Sequence, residues 1–226
     1  MSGPLKKDNK NSLRIPIKKE NKKKMIPFGI KYRKEIIAGG IAVLIALLLI
    51  MITSSGSTVE NNTTSTNQTA KIPTKIYSAG GIYLEYPASW NITTDEVNGS
   101  STQIVIQDPA STNNPNSTQL AAFTILKVQK DPFQTLEQQK DIFIQSLTSS
   151  GANIAPVNTT NITISGINAT ETIYSGNGPK YEQIQLKLVY FEQNNVIYIM
   201  GFLTKGMDLQ SQTPYFDVIL NSFKIQ

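Results

Sequence analysis

The chain has 226 residues, a net charge of +5 at neutral pH, and neither cysteine nor histidine. The lack of cysteine excludes disulfides, iron–sulfur clusters and thiolate zinc sites. The lack of histidine excludes Ser-His and Cys-His nucleophile pairs and removes the commonest transition-metal ligand. Any catalysis would therefore depend on carboxylates, lysine or tyrosine.

Residues 1–35 form a basic arm in which twelve Lys and Arg stand against three acidic residues, a net charge of +9, while the rest of the chain carries −4. The arm has three prolines and no sustained apolar period, so it has little apolar surface to offset the entropy of ordering, and we predict that it is disordered. Basic residues beside an apolar segment set membrane topology through the positive-inside bias. Attraction to anionic lipid is the alternative role. Both roles place the arm at a membrane surface, not on nucleic acid.

Residues 36–53 are predicted to form a transmembrane signal anchor. Residues 36–52 contain no charge, hydroxyl or amide side chain and would span about 25 Å as a helix, which neighbouring residues extend to the width of a bilayer core. A cleaved signal peptide is the alternative, but the basic leader is longer than a usual n-region. Ala38, Ala42 and Ala46 recur on one helical face, so a weak homodimer through this helix remains open.

Residues 54–75 are rich in Ser, Thr, Asn and Gln and are predicted to form a flexible linker. Asn-x-Ser/Thr glycosylation sequons begin in this linker, and none precedes the apolar segment. The charge bias and the sequons predict one orientation, with the amino terminus cytoplasmic and the chain from residue 54 onward outside a prokaryotic cell. The candidate glycosylation sites are Asn61, Asn62, Asn67, Asn91, Asn98, Asn116, Asn158, Asn161 and Asn168.

Residues 76–226 are predicted to form one extracytoplasmic domain, since about 150 residues can bury roughly 68–70% of their unfolded surface in one core. Alternating apolar residues and turn signals predict its strands. Trp90 is predicted to close one end of the core. The predicted strands are 81–86, 103–107, 120–128, two within 162–174 that turn at Ser165-Gly166, and a hairpin of 181–191 and 196–203 that turns at Asn194-Asn195.

Two helices are predicted to cover this sheet. Thr135 with Gln138 has the pattern of a capping box, and Gly151 is predicted to end the first helix. Thr213 is predicted to cap the second helix, with Pro214 at its first position. Residues 196–203 are apolar on both strand faces and therefore need cover on both. The predicted fold class is α+β, an α/β/α sandwich with a central antiparallel sheet flanked by helices and preceded by one transmembrane helix.

Four ordered segments resemble the PsbP-like family over about residues 77–226. They are Tyr-Leu-Glu-Tyr-Pro-Ala-Ser-Trp at 83–90, Val-Ile-Gln-Asp-Pro at 105–109, Thr-Ile-Ser-Gly-Ile-Asn-Ala at 163–169 and Phe-Asp-Val-Ile-Leu-Asn-Ser-Phe-Lys at 216–224. The resemblance implies an α/β/α sandwich and an accessory or binding role without catalysis. The metal-binding histidine of some photosynthetic members has no counterpart in this chain, so a photosynthetic role is not implied.

The acidic residues of the outer domain are scattered, and the sequence predicts no catalytic, cofactor-binding or metal site. We predict a single-pass membrane-anchored surface protein that displays a non-catalytic PsbP-like accessory or binding domain. Its predicted partners are the lipid bilayer and an unidentified envelope protein or glycan, without nucleic acid. The alternative is a carboxylate-dependent hydrolase or lyase of the cell envelope, which would need paired acids in a cleft. Strand acids available for such a pair are Glu85, Glu171, Glu182 and Glu192.

Overall fold

The computed structural model describes residue 3 and residues 71–99, 101–112, 119–180 and 182–226. The predicted transmembrane segment, almost all of the basic arm and most of the linker lie outside these residues. Within the described part of the chain, no helix is long and apolar enough to cross a bilayer. The sequons outside the described residues are those at Asn61, Asn62, Asn67 and Asn116.

Ten strands and three helices make up the described secondary structure. The strands are β1 Thr74–Ala79, β2 Ile82–Pro87, β3 Asn91–Asn98, β4 Ser101–Gln107, β5 Leu120–Gln129, β6 Asn153–Ile164, β7 Ile167–Asn177, β8 Gln183–Gln193, β9 Val196–Lys205 and β10 Lys224–Ile225. The helices are α1 Pro109–Thr112, α2 Leu136–Ser149 and α3 Leu209–Ser222. β1 begins inside the range predicted as linker.

The described strands form two antiparallel sheets. One has seven strands in the order β3-β4-β5-β9-β8-β7-β6, and the other has three in the order β1-β2-β10. The prediction of a mostly antiparallel domain with two long helices is therefore confirmed. The prediction of a single sheet is wrong, because β2 pairs with β1 and with the chain's last strand, where Lys224 lies opposite Tyr83. The buried side chains of Ile82 and Leu84 join the small sheet to the core.

The seven-stranded sheet separates two apolar cores. The small sheet and α3 cover one face, over a cluster that includes Trp90, Phe123, Phe202 and Phe216. Helix α2 packs on the other face, where Phe143 and its neighbours form the second cluster. Nine of the ten residues of β9 are buried, which confirms that this strand is covered on both faces.

The predicted turns and the first helix cap are confirmed. Ser165 and Asn194 have positive φ angles of 50° and 51°, as turns at these positions require. The capping box of α2 is formed in both directions: the Gln138 amide donates to Oγ1 of Thr135 at 3.2 Å, and the Thr135 amide donates to Oε1 of Gln138 at 2.8 Å. Gly151 follows the C-cap residue Ser150 with a φ of 96°.

The predicted start of the last helix is wrong. Helix α3 begins at Leu209 with Asp208 as its N-cap, and Pro214 lies inside the helix. Contact with the sheet explains the earlier start, because the Leu209 amide donates to Oε1 of Gln185 on β8 at 2.7 Å. The Thr213 hydroxyl does not cap the helix but donates to the Leu209 carbonyl at 3.3 Å.

A buried tyrosine connects the two sheets. The Tyr77 hydroxyl on β1 donates to Oδ1 of Asp95 on β3 at 2.7 Å. Burial, together with the hydrogen bond to this carboxylate and its charge, raises the pKa of Tyr77 well above its ordinary value of 10. The neutral phenol is therefore favoured in the folded state, and its ionisation would place two negative charges side by side.

We expect the free energy of unfolding to fall as the pH rises above about 10, the ordinary tyrosine pKa. A folded-state pKa above the unfolded value gives stability that is complete below pH 10 and is lost at higher pH. Tyr77→Phe should cost about 1 kcal/mol at pH 7 through the lost hydrogen bond. The variant should also lose less stability than the wild type between pH 10 and 11.5 in urea unfolding. Identical pH slopes for the two proteins would contradict this role of Tyr77.

Candidate functional site

A groove that measures about 980 Å³ including its open mouth lies where β7 and β8 separate. β7 pairs with β8 only from Thr170, opposite Tyr190, to Asn177. The residues of β7 before Thr170 pair with β6 alone, so they form a two-stranded ribbon that diverges from β8. The tip of this ribbon is fastened to the domain, because the Ser165 hydroxyl donates to the carbonyl of Phe223 at the end of α3.

The ribbon carries a regular array of amides and hydroxyls on one face. Side chains two residues apart on a strand share a face, and opposite residues on neighbouring strands are about 5 Å apart. Three pairs of opposite residues on β6 and β7 form what we name the Asn/Thr ladder. Its rungs are Thr159–Thr172, Asn161–Thr170 and Thr163–Asn168. Thr170 lies opposite Tyr190, whose ring belongs to the cluster under α2, so the ladder faces the α2 side.

The last two rungs of the ladder lie open in the groove. The hydroxyls of the first rung, Thr159 and Thr172, are 3.2 Å apart and hydrogen-bonded to each other. Asn161, Thr163 and Asn168 are exposed and line the groove. These outer side chains are therefore available to a ligand, whereas the first rung is occupied by its own hydrogen bond.

The opposite wall of the groove is formed by β8 and the first turn of α2. Leu136 from α2 and Tyr190 from β8 line this wall, where Leu136 is partly exposed and Tyr190 is buried. Lys140 holds α2 over this wall, with its ammonium 5.6 Å from the centre of the Tyr190 ring. Burial disfavours the charge of Lys140, but hydrogen bonds to Glu137 and Asp141 outweigh burial and raise its pKa above the ordinary value. The ammonium therefore stays charged over the ring at physiological pH.

The groove lining carries no uncompensated charge. Glu192 is the one ionisable acid or base that lines the groove besides Tyr190. Its two carboxylate oxygens accept hydrogen bonds from Nζ of Lys130 at 2.9 and 2.7 Å. This ion pair lies at the rim, where both side chains are partly exposed, so it neutralises the carboxylate without closing the groove.

Each of the strand acids that the sequence offers for catalysis contacts a different partner residue. Glu171 pairs with Lys187 at 3.5 Å and Glu182 with Lys205 at 3.4 Å. Glu85 accepts a hydrogen bond from the Thr74 hydroxyl at 2.9 Å. Among the described residues there is no group of three or more acidic residues that could hold a metal ion.

Two other concave regions differ in character from this groove. A groove near the start of the described domain is lined by Lys71, Glu85 and Lys224, among others, and the Lys224 ammonium lies 5.6 Å from the Tyr83 ring. An apolar cleft between α2 and the sheet has room for about one water molecule. The side chains around this cleft are closely packed, since a Cβ added to Gly201 would lie 3.1 Å from Cγ2 of Thr124.

Five predicted glycosylation sites lie in described strands, and all five are exposed. The structure brings Asn161 and Asn168 together in the groove and leaves Asn91, Asn98 and Asn158 elsewhere on the surface. Sequence reasoning did not identify the groove. The available signal was two Asn-x-Thr triplets on either side of the Ser165-Gly166 turn, which places all four polar side chains on one face. Glycosylation of these residues remains a prediction.

Residues 36–225 match the profile of the family described as PsbP-like protein. The chain belongs to the PsbP-like family. The resemblance predicted from the four sequence segments is thus confirmed, and the match begins upstream of the predicted start near residue 77. No curated protein matches this PsbP-like chain.

Several solved structures are similar to the PsbP-like chain at low sequence identity. Cyanobacterial PsbP (CyanoP) from Synechocystis is 14% identical with a TM-score of 0.48, over 72% of this chain and 98% of that one. The Ran-binding protein Mog1p of Saccharomyces cerevisiae is 8% identical with a TM-score of 0.43, over 68% and 96%. LpqN of Mycobacterium tuberculosis, described as involved in cell envelope biogenesis, is 16% identical with a TM-score of 0.41, over 69% and 91%.

Proposed function

We propose that this protein is a single-pass membrane-anchored surface protein whose PsbP-like domain is a non-catalytic accessory or binding module. The groove between the β6–β7 ribbon and β8 is its ligand site. The observation that carries this proposal is the groove lining, in which amides and hydroxyls stand beside apolar side chains and the Glu192 carboxylate is neutralised by Lys130. Such a surface binds through hydrogen bonds and apolar contact.

The sequence outside the described residues supports the membrane anchor. Residues 36–52 are apolar throughout, the preceding arm carries +9, and a polar linker separates the segment from the domain. The positive-inside bias then directs the arm to the cytoplasm and the domain to the outside. The bilayer is accordingly the first partner, and an envelope protein or glycan is the second.

Limited proteolysis of intact cells tests the topology. We expect trypsin to remove an epitope tag at the carboxy terminus and to spare a tag at the amino terminus, although the basic arm offers many cleavage sites. Permeabilised cells are the control, in which both tags should be lost. Protection of the carboxy-terminal tag in intact cells would overturn the proposed orientation.

Retention of envelope material by the full chain tests the binding site. Asn168→Arg places a bulky charge in the groove, whereas Asn158→Arg makes the same change on β6 outside it. The wild type and Asn158→Arg, immobilised in detergent micelles, should retain the same envelope component, and Asn168→Arg should retain at least tenfold less. Equal retention by all three proteins would show that the groove is not the binding site.

The hydrolase or lyase alternative requires two carboxylates about 5–10 Å apart beside the scissile bond. Glu192 is the single carboxylate in the groove lining, and it is engaged by Lys130. No observation on the groove favours this alternative over a binding site.

A further inference from the structure

We infer that the ligand of this groove is a neutral oligosaccharide, an inference that rests on the proposed binding function. Each amide and each hydroxyl of the Asn/Thr ladder offers both a donor and an acceptor. A sugar ring carries the same mixture around its edge. The ladder can therefore form hydrogen bonds with adjacent sugar hydroxyls whether those hydroxyls donate or accept.

The dimensions of the open rungs fit one sugar ring. Asn161, Thr163, Asn168 and Thr170 occupy the corners of a patch about 7 Å along the strands and about 5 Å across them. All four line the groove, and three of them are exposed. The groove lining also includes residues outside this patch, such as Leu136 and Glu192, so a short oligosaccharide can contact it with more than one ring.

The opposite wall supplies the apolar contact that the carbon-bound hydrogens of a sugar need. Leu136, at the start of α2, is partly exposed and supplies the accessible apolar surface of this wall, whereas Tyr190 is 3% exposed and has the Lys140 ammonium over its ring. A ligand between the ladder and this wall would meet hydrogen-bonding groups on one side and apolar surface on the other. This two-sided arrangement suits a molecule whose rim is polar and whose faces are apolar.

The charge of the groove disfavours polyanionic ligands. Nucleic acids and acidic polymers are bound mainly by arginine and lysine side chains free to pair with their anions. No lysine or arginine is among the described residues that line the groove, and Lys130, which contacts the lining residue Glu192, is paired with it. The ammonium of Lys140 is likewise engaged by Glu137 and Asp141.

An extended peptide is a poorer match than an oligosaccharide. A peptide that adds to a sheet edge gains specificity from pockets for alternate side chains. The ladder instead presents a continuous row of amides and hydroxyls, and Val157, the large exposed apolar side chain of β6, lies outside the groove lining. Peptide binding is thus the competing outcome of the test.

The test uses the full chain, made in a host without N-glycosylation and purified in lauryldimethylamine oxide, a detergent without a sugar head group. Neutral hexasaccharides of glucose, mannose and N-acetylglucosamine are titrated by calorimetry at up to millimolar concentration. The double variant Thr163→Val/Thr170→Val removes two ladder hydroxyls while keeping side-chain shape and strand propensity. Thr160→Val is the matched control, because Thr160 lies on the other face of β6, opposite Glu171.

We expect at least one hexasaccharide to bind, with affinity at least tenfold weaker in the double variant and unchanged in Thr160→Val. Failure of all three sugars to bind, or equal binding by the wild type and the double variant, would overturn the inference. If envelope material is retained by the wild type and lost in Asn168→Arg while no hexasaccharide binds, the oligosaccharide assignment fails and the binding function stands. If neither assay shows groove-dependent binding, both fail.

Discussion

Trp90→Ala is expected to lower the free energy of unfolding by about 3–5 kcal/mol, since truncating a buried Trp loses its transfer free energy and leaves a cavity. Trp90 is 1% exposed, stacks on Tyr215 with ring centres 6.1 Å apart, and meets Phe216 edge-on at 5.8 Å. Phe216 in turn contacts Phe202 of the seven-stranded sheet at 5.0 Å. The loss therefore weakens the packing of α3 on the core.

Urea unfolding followed by far-UV circular dichroism measures this effect. Phe133→Ala is the matched control, because Phe133 is 85% exposed and its truncation should change stability by less than about 0.5 kcal/mol. Trp90→Phe fills part of the cavity, so its loss in free energy of unfolding should lie between the losses for Trp90→Ala and Phe133→Ala. A loss for Trp90→Ala as small as that for Phe133→Ala would show that the ring is not part of the core.

Glu182→Ala is expected to cost about 3–5 kcal/mol, because it leaves the charge of Lys205 buried without its partner. The two side chains are 10% and 9% exposed and approach to 3.4 Å. The change also removes the acceptor for the Lys180 amide, which donates to Oε2 of Glu182 at 2.8 Å. We expect the unpaired Lys205 ammonium to cost more stability than the lost hydrogen bond to the Lys180 amide.

Removing both charges separates these contributions. The double variant Glu182→Leu/Lys205→Met replaces the ion pair with apolar groups of similar volume, and such replacements are often neutral or stabilising. We expect its thermal midpoint to lie near that of the wild type and well above that of Glu182→Ala. Equal destabilisation of the single and double variants would show that the lost backbone contact, and not the buried charge, dominates.

The sequence predicted the elements whose side chains face a core. β9 and the hairpin at Asn194-Asn195 have dense apolar patterns, and α2 has both halves of its capping box. The sequence does not predict β1, β3 and the first part of β6, because these strands are largely exposed and their polar residues show no alternation. The second sheet was also missed, since pairing of Tyr83 with Lys224 depends on how α3 returns the chain end.

The groove was less accessible to sequence reasoning than the fold. The sequence marks Asn161 and Asn168 as glycosylation sequons, but their alignment in one ladder depends on the register of β6 against β7. Leu136 and Tyr190 reach the groove from separate elements, through the packing of α2 on β8. The membrane anchor, its orientation and the glycosylation of the sequons stay predictions.

The Asn/Thr ladder changes how sequons in a strand should be weighed. When asparagine and threonine occupy successive positions on one face of a strand, they are two residues apart and form an Asn-x-Thr sequon. The sequon arises whether or not the chain is exposed to an oligosaccharyltransferase. Selection for such a ladder would enrich these triplets in β6 and β7 for reasons unrelated to secretion. The sequons at Asn161 and Asn168 therefore add little to the argument for sidedness, which rests on the basic arm and the linker sequons.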